Sequence, residues 1–317
     1  MIRHVALLAA VFLLVALATS RIALVGHELV GHGLTAVALG ADLVSYKLFV
    51  FGGGWVTYRW PAGPPSEAVS LVVALGGIGL ELVAGAIALL LWRRSRAAVA
   101  RVASMAVATI LLLHAGFYLA AGTHHGFGDG RALREALAEW RWLVVVPVSI
   151  AVVGGGFLLA RRLASEVANW VEGGAMARAG QILVAAVLAA AVHGALTFGE
   201  RALTRDDTYA RIMEHEDVRL VARDLGQFAA QARQVRGRAP TAEELAAAKA
   251  RFEEEHREFP LALVLGVLLG IACLAGLWMA VRRPSDVQDA RWRVARWPAA
   301  VCGGAIALVV VLQALAP

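Results

Sequence analysis

The sequence has little charge and almost no lysine for its length. Charged residues make up 17% of the 317 residues, whereas an average soluble protein has roughly 25%. Only two lysines occur, Lys47 and Lys249, so arginine carries nearly all of the positive charge. The length would allow two soluble domains, but the shortage of charge and the 59% of apolar residues exclude that organisation.

Cysteine is nearly absent as well. Cys273 and Cys302 each lie inside an apolar run, and their isolation excludes a disulfide framework and a cysteine-based metal site. The net charge of +6 would permit nucleic-acid binding. However, the arginines flank apolar runs, which is the pattern of proteins that face anionic lipid. We therefore expect contact with a lipid bilayer and not with nucleic acid.

Long apolar runs are what the sequence has instead. A helix needs about 20 apolar residues to cross a bilayer core about 30 Å thick. Seven segments meet this requirement, at roughly 5–39, 67–92, 99–121, 143–160, 179–198, 260–281 and 297–316. They predict an all-α polytopic membrane protein with about seven transmembrane helices. The first run is too long for one perpendicular crossing and contains Arg21, so we expect it to be tilted, broken or partly outside the lipid.

A β-hairpin is predicted directly after the first run. Residues 42–60 are rich in β-branched and aromatic side chains and turn on Gly52, Gly53 and Gly54, a pattern typical of two short strands. Open strand edges cannot face lipid. We therefore expect this hairpin to lie in water or to be covered by protein.

The only long polar stretch is 200–259, and its pattern is helical. Thr241 and Glu244 have the spacing of a capping box, which predicts a helix from Thr241 to about Glu258. A second helix is predicted from Asp217 to about Arg233. Together they indicate a small helical hairpin outside the lipid.

Arginines in two connections predict the orientation of the chain. The clusters are Arg93, Arg94, Arg96 and Arg101 in one connection, and Arg282, Arg283, Arg291, Arg293 and Arg296 in the other. With seven spans both connections lie on one side, which the positive-inside rule makes cytoplasmic. Residues 200–259 would then lie on the opposite side.

Two apolar segments keep ionisable residues although each costs about 2.5–3.5 kcal/mol at the centre of a membrane helix. The residues are His27, Glu28 and His32 in the first, and His124, His125 and Asp129 at the end of the third. Intramembrane ionisable groups of this kind indicate function. His114 and His193 each stand alone in a span, and we expect them to hydrogen-bond a neighbouring helix.

The pair His27–Glu28 followed by His32 is typical of a zinc-binding helix. Two imidazoles bind the metal and the adjacent glutamate acts as general base toward a metal-bound water. Zinc lowers the pKa of that water to about 7. A catalytic zinc needs a third protein ligand and an open position, and Asp129 is the natural third ligand.

The spacing of the two histidines conflicts with a regular helix. Residues four apart are about 40° apart around the axis, whereas residues five apart, as His27 and His32 are, lie about 140° apart. A π-bulge absorbs one extra residue, and Gly26 and Gly31 lower the cost of a distorted backbone. We predict a π-bulge or a local break between Glu28 and His32. The alternative is that one histidine is not a ligand.

Three stretches resemble the site-2 protease family of intramembrane zinc metalloproteases. They are "HELVGHGLTAVALGADL", "YKLFVFGGGWV" and "GFGDGRALREAL". Their order resembles the zinc helix, glycine-rich hairpin and Asp-Gly motif of that family over about residues 15–140. The resemblance implies that His27 and His32 are zinc ligands, Glu28 the catalytic base and Asp129 the third ligand.

The chain departs from the family pattern at three places. The zinc motif has one extra residue, Glu81 stands where the family has asparagine, and His124 and His125 precede the Asp-Gly motif. Glu81 would be either protonated or paired with the site. The resemblance assigns substrate binding to Gly52, Gly53, Gly54, Glu81, His124 and His125.

The sequence therefore predicts an intramembrane zinc metalloprotease that cuts a membrane-protein substrate, located in the bacterial cytoplasmic membrane. Two alternatives stay open: an inactive protease-like scaffold, and a metal or small-solute transporter that uses His114 and His193 along its path. The expected organisation is a metalloprotease-like core at 1–142, further spans at 143–199, the extramembrane segment 200–259 and C-terminal spans at 260–317.

Overall fold

The computed structural model describes residues 2–282 and 295–316. Within these ranges, seven helices are long and apolar enough to cross a membrane. They are Ile2–Ala38, Glu67–Arg94, Ala98–His125, Gly130–Trp170, Ala175–Thr204, Leu261–Val281 and Arg296–Ala314. The predicted all-α polytopic fold with a β-hairpin is confirmed, and the chain is an integral membrane protein.

Large apolar side chains cover the outside of the bundle. Ile150, Val187 and Ile271 lie well inside three different spans, and each exposes more than half of its surface. A soluble protein could not leave such apolar faces in water, whereas a helix that is hydrophobic all round belongs in lipid.

The first span is one unbroken helix in three parts, α1 (Ile2–Val25), a π-helix (Gly26–Leu34) and α2 (Thr35–Ala38). A break at Arg21 is therefore excluded. The Arg21 guanidinium is buried and donates to two carbonyls of the hairpin turn, Phe49 O at 2.7 Å and Phe51 O at 3.2 Å. These hydrogen bonds take the place of the water molecules that the guanidinium loses when it is buried.

The hairpin consists of β1 (Asp42–Leu48) and β2 (Gly54–Arg59), paired antiparallel with Leu48 opposite Gly54. The last span, α12 (Arg296–Ala314), covers the outer edge of β1. There the hydroxyl of Tyr46 donates to Leu312 O at 2.8 Å, and the amide of Leu48 donates to the Gln313 side chain at 2.6 Å. The predicted hairpin is confirmed, and this edge is covered by protein.

The remaining long spans are α3 (Glu67–Arg94), α4 (Ala98–His125), α6 (Trp142–Val167), α7 (Ala175–Thr204) and α11 (Leu261–Val281), with the short α5 (Gly130–Leu137) before α6. At the end of the bundle that carries Arg101 and Arg282, here called the arginine-rich end, α1, α4, α6, α7 and α11 enclose a closely packed apolar core. In the same region the Arg101 side chain forms an ion pair with Glu166 at 2.5 Å.

The polar segment forms three helices, α8 (Asp207–Ile212), α9 (Glu216–Arg236) and α10 (Ala242–Glu255). α9 packs on α10 through Val221, Ala248 and Phe252. The capping box of Thr241 and Glu244 is present. The predicted helical hairpin is confirmed, although α10 ends three residues early and α8 was not predicted, because its six residues carry no clear apolar period.

The polar segment and the β-hairpin lie at the same end of the bundle. The Lys47 ammonium contacts the Asp206 carboxylate at 2.8 Å, and the Glu200 side chain contacts the hairpin turn. This agrees with the predicted seven crossings, which place both segments on one side. Arg283, Arg291 and Arg293 of the second predicted cluster lie outside the described residues, and which side is cytoplasmic stays a prediction.

Candidate metal centre

Three of the predicted ligands converge. His27 and His32 project from the π-helix, and Asp129 stands directly before α5. The Nε2 atom of His27 is 2.9 Å from Asp129 Oδ2, and Nε2 of His32 is 3.1 Å from Asp129 Oδ1. Each residue offers a ligand atom within 4.8 Å of the other two. All three side chains are largely buried, so this arrangement is shielded from bulk water.

The π-helix is what brings the two histidines together. In a π-helix the hydrogen bonds join residues five apart, so His27 and His32 come to lie on one face instead of about 140° apart. Their ring centroids are 4.8 Å apart. The predicted π-distortion is confirmed, and it extends over Gly26–Leu34.

Glycines allow α3 to approach this helix closely. A Cβ on Gly31 would lie 2.4 Å from the Gly77 Cα, and a Cβ on Gly77 would lie 2.6 Å from the His27 ring. Real Cβ contacts are essentially never this short, so glycine is required at both positions. The small-residue stretch that begins at Gly77 therefore makes room for a candidate ligand.

The outer nitrogens of both imidazoles are held by α3. Nδ1 of His27 is 2.9 Å from Glu81 Oε1, and Nδ1 of His32 is 2.7 Å from the backbone carbonyl of Val73. Both acceptors hold a proton on Nδ1, so Nε2 of each ring, which faces the Asp129 carboxylate, is the atom that could bind a metal ion. Of the two alternatives for Glu81, pairing with the site is the one observed, and its carboxylate orients a candidate ligand, His27.

The turn between α4 and α5 reverses the chain direction and places Asp129 next to the end of α4. Gly126 and Gly128 have φ of 68° and 52°, in the left-handed region, which glycine adopts at little cost. Gly130 packs against the backbone of Gly122 so closely that a Cβ would lie 2.1 Å from the Gly122 carbonyl carbon. The Gly-x-Gly-Asp-Gly pattern is therefore a device for placing one carboxylate.

Glu28 lies beside the cluster in a cavity of about 780 Å³. It is half-buried, and it accepts no hydrogen bond from any residue that the structure describes. Its Cγ is 3.3 Å from the position that a Cβ on Gly54 would take. The carboxylate is thus free to bind a water molecule next to the three converging side chains.

The predicted glycine turn forms part of the cavity wall. Gly52, Gly53 and Gly54 all line it. The Glu200 carboxylate holds the turn, since it accepts from the amides of Val50 and Phe51 at 2.6 Å and from Gly52 at 2.8 Å. Sequence reasoning missed Glu200, although an acidic residue at the end of an apolar span was a usable signal.

The short helix α8 closes the cavity from outside the bundle. Tyr209, Ile212 and Met213 line the cavity, and the amide of Gly128 donates to Ile212 O at 2.9 Å. The segment 200–259 therefore contributes to the site, a role that composition alone did not indicate.

An ion pair joins this closing segment to the hairpin. Burial of Asp206 opposes its ionisation, but hydrogen bonds from Lys47, Trp55 and the Tyr209 amide outweigh that cost and hold the pKa of Asp206 below its ordinary value. The carboxylate thus stays ionised at neutral pH and anchors both elements.

His114 and His193, the two lone histidines, also line the cavity. Nδ1 of His114 is 2.8 Å from the second oxygen of Glu81, and its ring is nearly parallel to that of Tyr118. Nε2 of His193 is 3.4 Å from Ser20 Oγ. Each hydrogen-bonds a neighbouring helix, as expected. The sequence did not predict that His114 and His27 share the Glu81 carboxylate, because it does not show how α3 and α4 are rotated against each other.

The structure does not place His124 and His125 in this cavity. Nε2 of His124 donates to the Phe259 carbonyl at 2.8 Å, and Nδ1 of His125 is 3.3 Å from the Glu258 carboxylate. Both rings point from the end of α4 toward the segment before α11. The substrate contact predicted for them has no support in this geometry.

Two nitrogens and one carboxylate are the donor set that zinc takes in catalytic sites. Ligands about 2.0–2.1 Å from a tetrahedral zinc lie roughly 3.3 Å apart, and the two distances between the histidine nitrogens and the Asp129 carboxylate, 2.9 and 3.1 Å, are close to that separation. A scan against protein-family models and searches of curated proteins and of solved structures found no match. The function therefore has to be inferred from the chemistry of the site.

Proposed function

We propose that the chain is an intramembrane zinc metalloprotease of the site-2 protease type. It would hydrolyse a peptide bond in or near a transmembrane segment of a membrane protein, in the bacterial cytoplasmic membrane. One observation carries the proposal: His27, His32 and Asp129 converge beside Glu28 in a cavity within a bundle of membrane-spanning helices.

The residues that would hold the ion are His27 and His32 through Nε2, and Asp129 through its carboxylate. Their outer hydrogen bonds to Glu81 and Val73 O are of the kind that orient histidine ligands of zinc. A zinc ion bound there would lower the pKa of its water to about 7 and supply hydroxide at neutral pH.

Glu28 is the general base of the proposed reaction. Its carboxylate would accept a proton from the attacking water while the water oxygen bonds to the scissile carbonyl carbon. It would then pass that proton to the amide nitrogen as the C–N bond breaks. The absence of any hydrogen bond to Glu28 from the described residues supports this role, since a base already engaged could not bind water.

The free edge of β2 is the proposed binding surface for the substrate. Gly54, Val56 and Tyr58 line the cavity, and within the described ranges β2 has backbone hydrogen bonds to β1 alone. An extended peptide could add to this edge as a third strand. A transmembrane helix would have to unwind locally to do so, because its amides are otherwise satisfied internally.

Transport of a metal ion or small solute is the second candidate. His114 and His193 line the same cavity as the three converging side chains, as a polar route would require. Toward the arginine-rich end, however, Leu8, Val102 and Val281 are almost fully buried in an apolar core. A route across the bilayer would have to open that core, so we favour hydrolysis.

Substitution of Glu28 by glutamine tests the proposed hydrolysis. Purified chain in liposomes would be incubated with a panel of model transmembrane peptides, and the products would be identified by mass spectrometry. We expect Glu28→Gln to abolish cleavage and to retain one tightly bound zinc ion. Glu67→Gln, an exposed glutamate in the first turn of α3, is the matched control and should cleave normally.

The three hypotheses give different results in this experiment. A protease loses cleavage and keeps zinc in the Glu28 variant. An inactive scaffold binds little zinc and cleaves none of the peptides even as wild type. A transporter accumulates Zn²⁺ in liposomes regardless of Glu28. Full cleavage by Glu28→Gln would contradict the proposed mechanism.

A further inference from the structure

A second cluster of metal-ligating side chains lies outside the cavity, where the end of α4 meets the segment before α11. It consists of His124, His125 and Glu258, and each offers a ligand atom within 4.8 Å of the other two. The two imidazoles are 2% and 6% exposed. Two buried histidines at the end of a membrane span are costly unless their nitrogens are satisfied.

One nitrogen of this cluster is not satisfied. Nε2 of His124 is occupied, since it donates to the Phe259 carbonyl. Nδ1 of the same ring is buried and has no hydrogen-bond partner in the described part of the chain. A ring that keeps its proton on Nε2 carries a lone pair on Nδ1, which is the form of histidine that binds metal ions. A buried polar atom without a partner points to a bound ion or water.

The other two members provide matching ligands. Nδ1 of His125 is 3.3 Å from Glu258 Oε2, and Nε2 of the same ring accepts from the Ala262 amide at 3.4 Å, so a cation bound here would displace the proton that lies between Nδ1 and Oε2. The other oxygen, Glu258 Oε1, accepts from Arg134 at 2.5 Å, which leaves Oε2 as the oxygen available to a cation. The set of two imidazole nitrogens and one carboxylate oxygen is suited to zinc and its chemical neighbours.

We propose that His124, His125 and Glu258 form a second site for one divalent cation of the zinc class. This proposal does not rest on the protease proposal, because none of the three residues lies in the cavity. The Arg134 guanidinium would repel the ion. We therefore expect weaker binding here than at His27, His32 and Asp129, where no lysine or arginine among the described residues contacts the carboxylate.

The position of this site indicates a structural role. His125 directly precedes the Gly126–Gly128 turn that presents Asp129, and Glu258 belongs to the connection into α11. The ring of His215, at the start of α9, stacks on His125 at 4.8 Å. An ion bound here would tie the end of α4 to the connection that leads into α11, next to the first site.

Titration of the purified full-length chain with Co²⁺, read by visible absorption and equilibrium dialysis, tests the proposal. We expect two bound equivalents in the wild type, the second weaker than the first. His124→Gln should bind one. His256→Gln should still bind two, because His256 pairs with Asp224 on the surface of the α9–α10 hairpin and serves as the matched control. The double variant His27→Ala/His32→Ala should retain only the weaker equivalent.

These counts separate the two proposals. A single equivalent in the wild type, lost in the double variant, would overturn the second site and leave the first intact. Two equivalents that persist in His124→Gln would also overturn it. A wild type that binds one ion lost only in His124→Gln would support this site and contradict the proposed protease.

Discussion

The two histidine clusters use the same ligand types but differ in their surroundings. The cluster of His27, His32 and Asp129 opens into a cavity that also contains Glu28, whereas the cluster of His124, His125 and Glu258 is closed by Arg134 and the Phe259 backbone. Catalytic zinc sites keep an open position and structural sites do not. The space beside a set of ligands therefore indicates catalysis more than the ligand types themselves do.

The orienting carboxylate of the open cluster gives the largest expected effect. Glu81→Gln should lower zinc affinity at the first site about 10–100-fold, the usual cost of losing a partner that orients a histidine ligand. Glutamine keeps the size of the side chain but not its charge. Competition with a chromophoric chelator measures the change, with Glu67→Gln as control. Unchanged affinity would mean that Glu81 does not act on His27, and the two clusters would then differ less than proposed.

The close approach of α3 to the open cluster is tested by paired glycine variants. Gly77→Ala places a methyl group 2.6 Å from the His27 ring and should cost about 1–3 kcal/mol of stability, as overpacking does, and weaken zinc binding. Gly79→Ala meets no atom within 4 Å and should be neutral or slightly stabilising. Thermal unfolding in detergent compares them. Equal behaviour of both variants would refute the proposed role of Gly77.

The wall of the open cavity depends on Glu200, whose carboxylate holds the hairpin turn in place. Glu200→Gln replaces a carboxylate that accepts three backbone amides, and we expect about 1–3 kcal/mol of lost stability, since hydrogen bonds to charged groups are worth about this much. Zinc affinity should change little because Glu200 does not contact the ligands. A large loss of zinc with unaltered stability would place Glu200 in the metal centre and contradict the assignment.

The smallest expected effect is the pH dependence of the closing segment. The pKa of Asp206 is held below its ordinary value of about 3.9, so its ion pair with Lys47 contributes stability above that pH and loses it as the pH falls further. Trp55 donates to Asp206 at 3.2 Å, and its fluorescence should change on acidification below about pH 4. The change should be absent in Asp206→Asn, and its persistence there would assign it to another group.

Much of the open cluster could be predicted from the sequence. The seven spans follow from apolar length, and the π-distortion follows from the five-residue spacing of His27 and His32. Both of these features depend on local sequence. The third candidate ligand required one long-range assumption, that Asp129 lies close to the first helix. Asp129 was predicted as the third ligand because a carboxylate at the start of a helix can point into the bundle, and the family resemblance implies the same role.

The rest of the site depends on packing that no local pattern encodes. The pairing of Glu81 with both His27 and His114 requires the rotation of α3 against α1 and α4, which Gly31 and Gly77 set by close contact. The bond from Glu200 to the hairpin turn joins residues about 150 positions apart. The closed cluster was missed because Glu258 lies far along the chain from His124 and was predicted only as a helix end.

Crystals of the zinc-loaded protein, measured at the zinc absorption edge, would test the central claim most directly. We expect an anomalous peak between Nε2 of His27, Nε2 of His32 and the Asp129 carboxylate, with ligand distances of about 2.0–2.2 Å and Glu28 within reach of the remaining position. A fully loaded protein without a peak at these three groups, or with zinc bound only elsewhere, would contradict the account.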